Sequence, residues 1–144
     1  MYLLGTDQFG DLASLDQERA VFAWLATATP RRNELFVSVL SIGVLANTIE
    51  GKDNPERDNW RRLLSEARRQ FNDAGLVIDV DQSIVDVWAA LRGLGLDYDD
   101  GEAVGDDELL VVATAIARDL TLVTRPEAYH QKIADRTTLK LVEP

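Results

Sequence analysis

The sequence has 144 residues, enough to bury a core without disulfides or structural metal, and its length predicts one domain over 1–144. It has no cysteine, which excludes a disulfide framework, a thiolate metal site and a cysteine nucleophile; the apolar opening Met1–Leu4 turns polar at Gly5-Thr6-Asp7, too early for a secretory signal or a membrane span. That opening leads to the expectation of a cytoplasmic protein with no membrane contact; Asp and Glu number 25 against 15 Lys and Arg, and this net charge of −10 argues against broad phosphate binding.

Tyr2-Leu3-Leu4 reads as a short buried strand. Val21, Trp24, Leu25 and Ala28 then share one helical face; Asp16 is placed to cap that helix, and Thr29-Pro30 ends it because the residue before proline is pushed out of the helical region. Leu35-Phe36-Val37 is a second strand, followed by a helix capped by Ser38 or Ser41 and stopped at Gly51. Asp53 and Pro55 open a helix with the apolar stripe Trp60, Leu63, Leu64, Ala67 and Phe71, ending near Gly75. Leu76-Val77-Ile78 is a third strand, and Asp81 caps a helix carrying Ile84, Val87, Trp88 and Leu91.

Gly93 to Gly105 reads as a loop whose Asp97, Asp99, Asp100 and Glu102 are solvated, since it lacks the terminal glutamate of a calcium-binding loop. Asp106-Asp107-Glu108 then opens a helix that is almost wholly apolar from Leu109 to Ala117. Leu120–Val123 is a fourth strand, a short helix follows Arg125-Pro126, and a last strand lies within Thr138–Val142. Strands separated by helices predict an α/β fold: three layers, α/β/α, around a mostly parallel sheet of about five strands. Functional groups in such a sheet collect beyond the carboxyl ends of the strands. Here those ends carry Gly5-Thr6-Asp7, Ser38 onward, Asp79–Asp81 and Thr124-Arg125, and Asp106-Asp107-Glu108 can join them.

Three blocks, "MYLLGTDQFGDL", "LFVSVLSIGVLANTIEG" and "VVATAIARDLTLVTRP", resemble in order the PIN domains of VapC-type toxins from type II toxin-antitoxin systems, across nearly the whole chain. The resemblance implies a PIN-like fold and a metal-dependent endoribonuclease whose carboxylates hold Mg²⁺ or Mn²⁺. Residue by residue, the acids are mostly replaced. Gly5 stands where the first strand should end in aspartate, Val44 where glutamate should follow Gly43, and Tyr129 at the fourth position, with Glu127 two residues away; Glu108 keeps an acid at the third.

The expectation is therefore a PIN-domain protein without catalysis or cofactor that acts through protein-protein binding. The alternative is an active endoribonuclease with a shifted cluster, in which Asp7 and Glu108 are catalytic and Asp7, Asp107 and Glu108 hold Mg²⁺ or Mn²⁺; RNA is a partner only in that case. Asp7 reaches the place of Gly5 if the backbone stays extended, because residues two apart on a strand point the same way. Against this, Asp106 or Asp107 can cap its helix, Glu108 can favour the helix dipole, and Asp7 can cap a short helix after the first strand.

The resemblance also implies a homodimer and an antitoxin-like protein partner, for which Arg61 and Arg68, seven apart on one helical face, are the candidate contacts. Intrahelical pairs with Glu56, Asp58 and Glu66 are the competing explanation of that arginine cluster. Trp24, Trp60 and Trp88 are assigned to the core, and His130 lacks a companion nucleophile in sequence that would make it a catalytic base.

Overall fold

The computed structural model describes all residues 1–144. Its sheet is built from β1 (Tyr2–Leu4), β2 (Leu35–Ser38), β3 (Val77–Ile78), β4 (Thr121–Val123) and β5 (Lys140–Val142), in the order β3-β2-β1-β4-β5, and every pairing is parallel. The strands are short but apolar on both faces, as a sheet covered from both sides requires. Leu3 and Leu4 show the consequence: both are fully buried, yet Leu3 belongs to one core and Leu4 to the other. Leu122 and Val123 on β4 divide in the same way.

The first core receives Ile84 and Leu91 from α5 (Gln82–Arg92), Leu109 and Val112 from α6 (Asp106–Ala117), and Ile133 from α7 (Ala128–Ala134). The second receives Phe9 from α1 (Thr6–Ala13), Val21 from α2 (Ala20–Ala28), Ile42 from α3 (Val39–Glu50), and Leu64 and Phe71 from α4 (Glu56–Asp73). The three-layer arrangement and the five-stranded parallel sheet agree with the sequence reading. Ser38 caps α3 by accepting from the Leu40 N–H, and Asp81 caps α5 by accepting from the Ile84 N–H.

Several local expectations differ. Two helices, not one, separate β1 from β2: α1 has only eight residues, and Gly10 within it lets the helix approach α3, a Cβ there falling 3.2 Å from Leu45. Asp16 does not cap α2, whose N-cap is Arg19; it accepts from the Glu18 N–H in the preceding turn and pairs with Arg19. Neither Asp106 nor Asp107 caps α6, which begins after Gly105 without a side-chain cap. Asp106 instead accepts from Trp88 Nε1 and pairs with Arg92. The three tryptophans pack at the margins of the two cores and stay half-buried. No helix is long and apolar enough to cross a membrane.

Asp81 joins a cap to a cross-helix ion pair, since its other oxygen accepts from Arg118 at the end of α6. Both groups of the pair are about half exposed, so the cap should dominate. Asp81→Ala is expected to destabilise the fold, read as a lower urea midpoint at an unchanged slope.

Candidate functional site

From β1 the chain passes to β2 on one side, while β4 lies on the other, so a crevice opens at the carboxyl ends of the two central strands. Gly5 closes β1 by donating its N–H to Val123 O at 2.8 Å, and α1 starts at the next residue. The backbone is therefore not extended through Asp7, which stands in the first turn of α1 and does not cap it.

Asp7 nevertheless reaches the space at Gly5 by folding back. A Cβ on Gly5 would lie 2.7 Å from Asp7 Oδ1 and 3.1 Å from Thr124. Asp7 Oδ1 accepts from Thr124 Oγ1 at 3.2 Å, and Oδ2 accepts from Gln8 Nε2 at 2.7 Å and from the Arg125 N–H at 3.2 Å. One carboxylate thus ties the start of α1 to the turn after β4.

Asp7, Glu108, Glu127 and Tyr129 line one polar cleft of about 450 Å³ together with Gln8 and His130. Glu108, half-buried in the first turn of α6, is pushed up to about 7 by burial and then by the charges of Asp107, Asp7 and Glu127, with a hydrogen bond from Tyr129 partly offsetting them. Tyr129 is buried, and its phenol is pushed well above its usual range by burial and then by Glu108. Its ring meets Tyr98 edge to face, and the Tyr98 hydroxyl accepts from the Gly105 N–H at 3.0 Å. His130 is also buried, which lowers its imidazole to about 4; Nδ1 accepts from the Glu127 N–H at 2.9 Å, leaving Nε2–H as the donor of the neutral ring.

The other sequence-derived candidates lie apart from this group. Asp107 turns back over Gly105, its Oδ1 only 2.5 Å from where a Cβ would be, and it is not among the cleft residues. Val44 faces a neighbouring groove of about 340 Å³ with Leu45, Ile49, Trp60 and Leu64, and this groove meets the cleft at Asp7, Asp11 and Arg19. Arg61 donates through Nε and Nη2 to Glu50 at 2.9 and 2.6 Å and pairs with Asp58, holding the Glu50 carboxyl below its usual range. Arg68 shares a shallow pocket with Arg61 and Glu50. No three or more His, Cys, Asp or Glu side chains are gathered closely enough to hold a metal ion.

Sequence reasoning did not single out Gln8 or Tyr98, and it placed Thr124 at a strand end without giving its hydroxyl a role. Gln8 was the most accessible, as a polar residue between Asp7 and the core residue Phe9. The acidic loop is also more than solvated surface: Asp99 accepts from the Ala128 N–H at 3.1 Å, and its own N–H donates to Glu127, joining the loop to the start of α7.

No protein-family model matches the sequence, and no curated protein matches it. Solved structures do. Over 98% of this chain and 96% of theirs, it is similar to a chain of the FitAcB structure from Neisseria gonorrhoeae, with a TM-score of 0.73 at 20% identity. VapBC-1 from nontypeable Haemophilus influenzae gives 0.71 at 17% identity, covering 99% and 96% of the two chains. A toxin-antitoxin complex from Klebsiella pneumoniae gives 0.55 at 19% identity, covering 88% and 87%. The fold is thus that of VapC-type PIN domains, as the three sequence blocks suggested.

The raised Glu108 pKa has a definite sign in stability. Well below its unfolded value near 4.5 the carboxyl is protonated in both states and contributes nothing. Between that value and 7 the folded protein keeps a proton that the unfolded chain has lost, so stability falls as pH rises and the cost is complete above 7. Glu108→Gln is expected to stabilise by roughly 1–2 kcal/mol at pH 8 after allowance for solvent screening, and to change little at pH 4; thermal melts of both proteins at the two pH values measure it.

Proposed function

We propose that this chain is a VapC-type PIN-domain protein that acts by binding a protein partner of the antitoxin kind, without metal-dependent cleavage of RNA. The observation that carries the reading is the state of Asp7. Its carboxylate occupies the space above Gly5 and already accepts three protein hydrogen bonds. A divalent cation of the magnesium type needs near-octahedral oxygen coordination. The cleft also has Asp11 and Glu127, but with Asp107 turned aside no three of these acids gather closely enough to meet that requirement.

Val44 contributes in the opposite sense. A carboxylate there would charge the groove, whereas valine extends an apolar surface through Leu45 and Ile49 to Trp60 and Leu64. A partner segment with apolar side chains along that surface matches its chemistry. Contact at Arg61 would first have to displace Glu50, so Arg68 is the more available member of that pair. Homodimerisation, which the sequence resemblance implies, belongs to the same reading.

A second reading has one observation in its favour: Asp7 and Glu108 line the same cleft, where burial and then the charges of neighbouring acids raise Glu108. In this active endoribonuclease Asp7 and Glu108 would hold Mg²⁺ or Mn²⁺, which would supply an activated water; Tyr129 would position Glu108.

The two readings separate in one assay. Purified protein incubated with total RNA and Mg²⁺ or Mn²⁺ is expected to leave the RNA intact; cleavage that requires the metal and vanishes in Glu108→Gln would overturn the proposal. Affinity purification of tagged protein from its own host in the presence of a chelator is expected to retain a protein partner that Val44→Arg loses.

A further inference from the structure

Leu15 is the one large apolar residue that the fold both exposes and strains. It is 64% exposed, and its φ of 60° is the left-handed conformation, in which a side chain crowds the carbonyl that follows it. The residue ends α1, where glycine is the usual choice, and its N–H closes the helix on Leu12 O at 3.2 Å. Glycine would make that turn without strain and without an exposed leucine, so the side chain needs a separate explanation.

Beside Leu15 lies a hollow of about 220 Å³ between α1 and α4, lined by Leu12, Leu63, Ala67 and Phe71. Burying a leucine in such a hollow is favourable, and leaving the left-handed region relieves strain, so both effects favour a second position in which Leu15 drops inward. What opposes that movement is local. Ser14 Oγ donates to Asp11 O at 2.6 Å and accepts from the Asp16 N–H at 3.2 Å, and Asp16 accepts from the Glu18 N–H at 3.1 Å. All hydrogen bonds and ion pairs of residues 14–19 stay within residues 10–22, so this turn can move without breaking a tie to the sheet or to α4.

We propose that residues 14–19 form a strap with two positions: open, as in the structure, and closed, with the Leu15 side chain in the hollow on α4. The strap carries Arg19, whose guanidinium pairs with Asp16 at 3.2 Å and reaches Asp11 only at 3.8 Å. Arg19 and Asp11 both line the cleft and the groove that holds Val44. Closure draws Arg19 away with the turn and leaves the Asp11 carboxylate bare where cleft and groove meet. By linkage, whatever takes Arg19 off Asp11 favours the closed strap to the same degree. The device rests on Leu15 and the hollow alone, so it does not require either reading of the function to hold.

Relaxation dispersion of backbone ¹⁵N and methyl ¹³C nuclei in the full-length protein tests this. Residues 14–19 and the methyl groups of Leu63 and Ala67 are expected to exchange at one shared rate, on the microsecond-to-millisecond scale, with a minor state of about 1–10%. Leu15→Gly keeps the left-handed turn and removes the side chain, whereas Ala67→Leu fills the hollow and leaves the turn untouched; each is expected to abolish the exchange. Should Ala67→Leu fail to fold, Leu15→Gly alone decides. Arg19→Gln is expected to raise the minor population about two- to fivefold, the range that an exposed ion pair supplies. Flat profiles in the unmodified protein, exchange that persists in Leu15→Gly or in Ala67→Leu, or a minor population that does not rise in Arg19→Gln would overturn the proposal.

Discussion

Everything at the candidate site depends on the burial of β1 on both faces. Leu3 and Leu4 enter opposite cores, so the strand cannot shift by one residue without exchanging the contents of both. That constraint places Gly5 at the end of the central strand, next to Thr124 at the end of β4, in the crevice where the chain changes direction across the sheet. The chemistry of the cleft follows from what residues 5, 7 and 124 put into that fixed space.

With no side chain at residue 5, the Asp7 carboxylate moves in and is held there by neutral donors. The arrangement conserves an acid in the crevice while changing what it does, since hydrogen bonds from Gln8, Thr124 and the Arg125 backbone tie α1 to the turn after β4. Glu108 lies on the other side of the cleft beside a buried phenol, and its proton affinity rises because both burial and nearby acids oppose its ionisation. The result is a cleft whose polar atoms are largely engaged with one another, adjoining a groove in which Val44 replaces charge with apolar surface.

Much of this was legible in the sequence because strong patterns govern it. The apolar strands, the capping roles of Ser38 and Asp81 and the stripe on α4 have local causes, and alternation of strands and helices is enough to predict a parallel sheet. The break between α1 and α2 was not legible, because an eight-residue helix containing Gly10 carries too short a period to register. At the site, the pairing of Asp7 with Glu108 was anticipated for the wrong reason, the geometry being a helical first turn and not an extended strand. Asp107 was grouped with them on proximity in sequence, although its side chain turns over Gly105. Contacts such as Asp99 with Ala128, or Arg61 with Glu50, join residues 29 and 11 apart and have no local signature.

The central claim is that Asp7 serves as a structural tie and leaves the cleft without a divalent-cation site. Calorimetric titration of the purified protein with Mn²⁺, beside Glu108→Ala, addresses it most directly. The account predicts no saturable heat from either protein; saturable binding to the unmodified chain that disappears in Glu108→Ala would contradict it and restore the nuclease reading.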